Sequence, residues 1–272
     1  MKAKLHEHLR KDIMNVSKPI CLFLSAVVMM TACQKNSAPA KDATTNVAAT
    51  SPRAVTLSFS GYTWNISAPS GRVSPGPNYW NGSYAWVDAS GYLHLKAAYN
   101  AATGHWECAE VYTQQSFGYG TYQWQVEGAL GSFDKNIVLG LYNYSGNDGH
   151  DEMDIEIARW GNAAWDNLNY TIWPATGVSA SPASYTASFT TPNGTYTTHR
   201  FKRTSTSVKL QSLYGFQNGN TNQFQTATFT TPGTSISTLA MPVHMNLWLF
   251  NGSAPSNGQN VEVIIHSFTF TP

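Results

Sequence analysis

The sequence predicts an all-β fold, two antiparallel sheets packed as a sandwich or jelly roll with a concave cleft. Short segments alternate between two kinds of side chain with the period of two that a strand imposes: GYLHLKAA, GTYQWQVEG, NIVLGLYNY, EMDIEIA, NLNYTIW, SVKLQSLYG, HMNLWLF and NVEVIIHSFTF. Turn signals separate them: NGS, DASG, SGNDG, PNG and SNGQ. Long helical periodicity is absent, and Thr, Ser, Tyr, Trp, Val and Gly fill the chain after residue 54. Neither an internal repeat nor a second domain is visible.

Residues 1–33 stand apart from this pattern. The apolar run CLFLSAVVMM is too short to span a bilayer comfortably, which disfavours a single transmembrane anchor. MTAC follows it, and small residues directly before a cysteine resemble a bacterial lipobox, although Met30 is a less usual first residue of one. The resemblance implies cleavage before Cys33 and lipidation of that cysteine. Gln34 in place of Asp after it implies the outer membrane of a bacterial envelope. MKAKLHEHLRKDI makes a long, mixed-charge leader, whereas a start at Met14 gives a tidy one. Residues 34–54 lack aromatics and are rich in Ala, Ser, Thr and Pro, as a solvated tether would be. Residues 55–272 then form one domain, long enough to bury a substantial core.

With Cys21 in the leader and Cys33 carrying lipid, Cys108 is left without an intramolecular partner, so the domain is expected to hold together without a disulfide. The formal net charge of the whole chain is +1. No basic cluster marks the domain, which argues against nucleic-acid binding.

Alternation assigns side chains to faces, strand by strand. In CAEVYT, Glu110 and Tyr112 lie opposite Ala109 and Val111. In GLYNY, Tyr142 and Tyr144 lie opposite Leu141. In HMNLWLF, His244, Asn246, Trp248 and Phe250 lie opposite Met245, Leu247 and Leu249. Several strands thus pair an aliphatic face with one that mixes rings, amides and acids. Such a mixture suits sugars, whose ring faces are apolar and whose edges are hydroxyls. The alternative is that the aromatics finish a second core face, the better reading for any single Tyr; for the set, core faces rarely mix acids with rings.

The segment HDEMDIEIARWG puts Glu152, Asp154 and Glu156 on one face of a strand and Met153, Ile155 and Ile157 on the other. A solvated face would mix these acids with Lys and Thr, because like charges so close repel. A calcium site would need six to eight oxygens, usually wrapped round the ion by a loop rather than offered from one side by a strand. Catalytic carboxylates are the third reading. Glycoside hydrolysis takes two carboxyl groups flanking the scissile bond. Positions i and i+4 of a strand lie roughly 13 Å apart along the backbone, a span over which two Glu side chains can lean inward around a shorter Asp. Three adjacent carboxyls cannot all ionise freely, so the set can keep one proton near neutral pH for use as an acid.

DEMDIE resembles the Glu-x-Asp-x-Glu signature of glycoside hydrolase family 16. With the preceding histidine, HDEMDIE is most similar to the lichenase and xyloglucan endotransglucosylase/hydrolase side of that family, without the extra bulge residue of the laminarinase side. AEVYTQQSFGYGTYQWQVEG and MNLWLFNG resemble further family stretches, so the likeness extends over most of residues 75–272. It implies a jelly roll of concanavalin-like type and a retaining endo-β-glycosidase acting on a β-glucan-like polysaccharide, with transglycosylation where a sugar replaces water. It further implies Glu152 as nucleophile, Glu156 as general acid/base and Asp154 as the residue between them that tunes protonation. Glu110, Asn169, Asn246 and Trp248 fall where family members contact sugar, and Tyr142 and Tyr144 where aromatics line further subsites. Tyr112 and His150 complete the expected substrate-binding set as departures, since lichenase-type members often carry arginine and tryptophan there. The expectation is a lipid-anchored monomer with a polysaccharide partner and no cofactor; a structural calcium is not readable from the sequence. A non-catalytic glycan-binding protein on the same fold is the alternative.

Overall fold

The computed structural model describes residues 55–272. The leader, Cys33 and the 34–54 tether lie outside them. The strands are numbered along the chain. The first seven are β1 (Thr56–Phe59), β2 (Tyr62–Ile66), β3 (Arg72–Val73), β4 (Asn78–Trp80), β5 (Ala85–Val87), β6 (Leu93–Asn100) and β7 (His105–Phe117). Next come β8 (Gly120–Glu127), β9 (Ile137–Tyr144), β10 (Glu152–Ala158), β11 (Leu168–Trp173) and β12 (Ala183–Ala187). Last are β13 (Tyr196–Arg203), β14 (Ser207–Tyr214), β15 (Gln223–Thr230), β16 (Met241–Leu249) and β17 (Val261–Thr271).

Strand pairing resolves these into the two sheets of a jelly roll. The first runs β1-β2-β7-β16-β9-β10-β11-β12, antiparallel throughout. The second runs β5-β6-β17-β8-β13-β14-β15, also antiparallel. The hairpin β6–β7 carries the chain from one sheet to the other, and β4 lies parallel beside the start of β7.

The core forms where the inner faces meet. Val111, Leu139, Leu141, Met153, Ile155, Ile157, Met245 and Leu247 come from the first sheet, all fully buried. Tyr122, Trp124, Phe201, Leu210 and Phe268 come from the second, in ring contacts such as Tyr122–Phe201 at 4.6 Å. Cys108 is buried, and burial pushes its thiol up to about 12, so it sits in the core as an inert small apolar group.

Polar residues also enter this core. Arg203 is 1% exposed; it donates to Asn143 Oδ1 at 3.1 Å and to the Ser237 and Leu239 carbonyls, and lies over the Tyr119 ring. It thereby ties β13 to β9 and to the segment before β16. His199 is fully buried, with Nδ1 2.8 Å from Ser212 Oγ and Nε2 3.1 Å from Thr197 Oγ1, while Tyr170 donates to the same Ser212 from the opposite sheet.

Burial pulls His199 from its ordinary 6.5 down to about 3, so the fold holds it neutral. Between those values the unfolded chain binds a proton that the fold refuses. Stability is therefore intact above pH 6.5 and falls as pH drops towards 3, by about 1.4 kcal/mol per pH unit. Thermal melts of wild type and His199→Gln at pH 7 and pH 4.5 check this: the downward shift in Tm on acidification is expected to shrink in the variant, whatever its own baseline.

Candidate active site

β10 lies inside the first sheet between β9 and β11, paired along both edges without a register break. The ladders turn the acid face into rows that cross the sheet. Glu152 stands opposite Tyr144 on one side and Trp173 on the other. Asp154 stands opposite Tyr142 and Thr171, and the row continues through His244 to Tyr112. Glu156 stands opposite Gly140 and Asn169, and that row continues through Asn246 to Glu110. Residues opposite one another in a ladder share a face, so all of these look out on the concave side.

The triplet is not a solvated face: Glu152, Asp154 and Glu156 are 7%, 0% and 3% exposed. Nor, among the described residues, do three or more His, Cys, Asp or Glu converge as a cation site. A cleft of about 270 Å³ opens over the triplet. Glu110, Tyr142, Tyr144, Glu152, Glu156, Asn246 and Trp248 line it, as do Ser74, Pro75, Asp148 and His244, which the sequence-derived site set omits. Asp154 lies beneath, its Oδ2 accepting from Trp173 Nε1 at 3.0 Å.

A second hydrogen-bonded group faces the triplet across β9. Tyr142 Oη donates to Glu110 Oε1 at 2.9 Å and accepts from Asn246 Nδ2 at 3.1 Å, while His244 Nδ1 lies 3.4 Å from the same Glu110 oxygen. Burial, followed by the charges of Glu110 and Glu152, holds the Tyr142 phenol well above its ordinary range, so it remains a donor. The His244 ring lies between Tyr112 and Tyr142, stacked at 5.2 and 4.9 Å. At the cleft's end Tyr144 Oη donates to Asp148 Oδ1.

Other expected residues sit differently. Asn169 uses its amide on the carbonyls of Glu156 and Ala158, at 3.3 and 2.9 Å, and so braces the end of β10 from the same face as the acids. Tyr112 flanks His244 instead of lining the cleft. His150 is half-buried in the β9–β10 turn, where its N–H donates to Asn147 O. Trp248 reaches the cleft but is only 3% exposed, tilted against Trp160, which in turn meets Phe250 edge-on. Its indole is thus largely core rather than a free stacking plate.

Two residues that single-strand reading passes over secure the triplet. Asp151, directly before it, takes φ +50° and is 1% exposed; its N–H donates to Pro174 O at 2.8 Å and its carboxylate accepts from the Thr176 N–H and hydroxyl. This anchors the turn from which β10 starts. Gly140 stands between Glu156 and Asn246, where a Cβ would lie 2.4 Å from Asn246 Oδ1. Glycine here lets the Asn246 side chain cross β9 to reach Tyr142.

No family model matches the sequence, and no curated protein does. Solved structures match in three dimensions. A Bacillus licheniformis β-glucanase is 21% identical, with 77% of this chain and 92% of that one covered at a TM-score of 0.57. A Bacteroides ovatus glycoside hydrolase family 16 protein, in complex with a G4G4G3G product, is 14% identical over 76% and 94% of the chains, again at 0.57. The chain has the fold of these proteins. A Mycobacterium tuberculosis protein described as an immunostimulatory antigen and pseudo β-1,3-glucanase shares it too, at 15% identity, 74% and 88% coverage and a TM-score of 0.55.

Gly140→Ala should push Asn246 off Tyr142 and reproduce most of the defect of Asn246→Ala in oligosaccharide binding, at a stability cost of about 1–3 kcal/mol. Calorimetric titration with oligosaccharides beside urea unfolding checks this. Unchanged binding by Gly140→Ala would mean that the Asn246 contact has no part in the cleft.

Proposed function

We propose that the chain is a retaining endo-β-glycosidase of the family 16 kind, acting on a β-glucan-like polysaccharide. One observation carries the reading: Glu152 and Glu156 project from a single strand into one cleft, with Asp154 seated between them. The fold by itself would not carry it, since β-glucanases and a protein described as a pseudo β-1,3-glucanase share that fold.

In this reading the Glu152 carboxylate attacks the anomeric carbon while the Glu156 carboxyl group protonates the departing glycosidic oxygen. The sugar becomes an ester of Glu152. Glu156, now ionised, takes a proton from an incoming water, whose oxygen attacks the same carbon and releases Glu152. Two inversions give net retention. A sugar hydroxyl in place of that water makes the step a transglycosylation. Asp154, held by the Trp173 indole N–H, separates the glutamates and favours proton sharing between them. Glu110, Tyr142 and Asn246 offer a fixed set of donors and acceptors to the bound sugar, held on strands rather than loops.

The test is reducing-end release and product stereochemistry on glucans, galactans and xyloglucan. Glu152→Ala should lose activity by on the order of 10³-fold or more while still binding oligosaccharide, and added azide should yield a glycosyl azide of inverted configuration. Glu156→Ala should lose about 10²–10⁴-fold on natural linkages and far less on substrates with good leaving groups. Three variants at 152, 154 and 156 that all bind but match a wild type without turnover would make the protein a glycan-binding one.

We also propose that Cys33 carries lipid and anchors the domain to the bacterial envelope, in the outer membrane. Wild type should partition with membranes and Cys33→Ser should yield an uncleaved or a soluble form, since several acyl chains on one residue anchor firmly where a single chain does not. Wild type found wholly in the soluble fraction would sink the anchor.

A further inference from the structure

The outward face of the second sheet carries a groove that the catalytic reading leaves unused. Its volume is about 590 Å³, and its walls are polar. Lys202 and Lys209 stand directly opposite each other in the β13–β14 ladder, both exposed, and no ion pair among the described residues engages either one. Like charges placed face to face across a ladder destabilise a sheet. Two residues along β13, Arg200 lies on the same face at 7% exposure. Its guanidinium donates to Gln211 Oε1, Gln123 Oε1, Asn220 Oδ1 and the carbonyls of Asn218 and Gly219. Every one of these acceptors is neutral. The buried cation therefore lacks a counter-charge, and its bonds hold the 218–220 loop as one wall of the groove.

Along β13 and β14 the sequence supplies no acid; Glu127, on the same face of β8, stands opposite Tyr196 and is taken up by His266 at 2.7 Å. Between Asp166 and Glu262 there is no Asp or Glu at all, while Arg200, Lys202, Arg203 and Lys209 all fall in that stretch. Read along the chain, these cations form no cluster; the β13–β14 hairpin makes one. Around it the lining is amide and hydroxyl: Gln123, Gln211, Thr121, Thr269 and Thr271. About 20 Å along β13 from Lys202, on the same face, Tyr196 is 48% exposed and its ring meets Phe216 at 4.7 Å, beside His266.

We propose that this groove is a second glycan-binding site, separate from the cleft, that takes the anionic groups of an acidic polysaccharide. Lys202 and Lys209 pair with the carboxylate or sulfate, Arg200 adds its uncompensated field, and the amides and hydroxyls meet sugar hydroxyls. The Tyr196–Phe216 rings offer an apolar platform to the same chain further along. A phosphate backbone would meet the lysines equally well, but the amide and hydroxyl lining offers hydrogen bonds to the many hydroxyls of a sugar polymer, and too few further cations are present to track a phosphate backbone.

Affinity electrophoresis of the full chain in gels containing polygalacturonate, dextran sulfate, neutral dextran or single-stranded DNA tests the site. Polygalacturonate, dextran sulfate or both should retard wild type, with retardation falling as salt rises, and neutral dextran should not; the stronger of the two acidic polymers identifies the anion. Lys202→Ala/Lys209→Ala should weaken that binding at least tenfold without lowering the thermal midpoint and while keeping any turnover of neutral glucan. Glu152→Gln should leave it unchanged, which separates the groove from the cleft. The proposal fails if neither acidic polymer retards the protein, if the double variant is retarded like wild type, or if Glu152→Gln abolishes the effect. Equal retardation by DNA would overturn the assignment to glycans and leave a general polyanion surface.

Discussion

A carboxylate taken out of water costs several kcal/mol unless hydrogen bonds replace the lost solvent. β10 takes three out of water on one face, within a span that makes them repel. Much of the first sheet can be understood as the answer to that load. Ladders on both edges fix the strand, Asn169 braces its backbone, Trp173 donates to Asp154, and Asp151 pins the turn from which it emerges. On the opposite face Met153, Ile155 and Ile157 sink into the core, so β10 cannot slip by one residue without exchanging acids for aliphatics. The register that buries the core is the register that aims the acids.

That coupling explains why the triplet was legible. A period of two over seven residues, with acids on one side and aliphatics on the other, has no helical alternative, and the strand spans Glu152–Ala158 as the pattern implies. β13 shows the converse. Its core-facing side chains are Thr197, His199, Phe201 and Arg203, so burial leaves no apolar alternation to detect. Those polar groups are tolerable inside because the opposite sheet and neighbouring strands satisfy them: Ser212 and Thr197 for His199, Asn143 and two carbonyls for Arg203. Such partners are known only once the sheets have met.

The same limit divides the site. Glu110, Tyr142 and Asn246 were legible as polar residues opposite aliphatic ones, each within its own strand. What they do together depends on ladder offsets that no single strand records. Gly140 is the clearest case: in NIVLGLYNY it reads as a weak spot in a strand, and only the pairing β10–β9–β16 shows that it lies under the Asn246 side chain. Trp173 closes an otherwise apolar-looking strand, and its indole N–H finds Asp154 only through the β10–β11 register. Trp248 shows what alternation alone leaves out. Alternation put it on the cleft face, but a face has a middle and an end, and at this end Trp160, itself backed by Phe250, lies against the ring.

The two sheets also divide the charge. The concave face of the first sheet gathers Glu110, Glu152, Asp154 and Glu156 around one cleft, while the groove on the outward face of the second gathers Arg200, Lys202 and Lys209 with no acid in its lining. A neutral glucan carries no net charge for the field of those acids to repel. An acidic polymer is repelled there and drawn to the far side, at a range set by the Debye length of about 8 Å at physiological salt. On the two proposals, a single domain would hold on to a charged matrix by one sheet while the other stayed open to an uncharged chain. Neither surface then needs a compromise in its own chemistry, because the core between the sheets insulates one set of charges from the other.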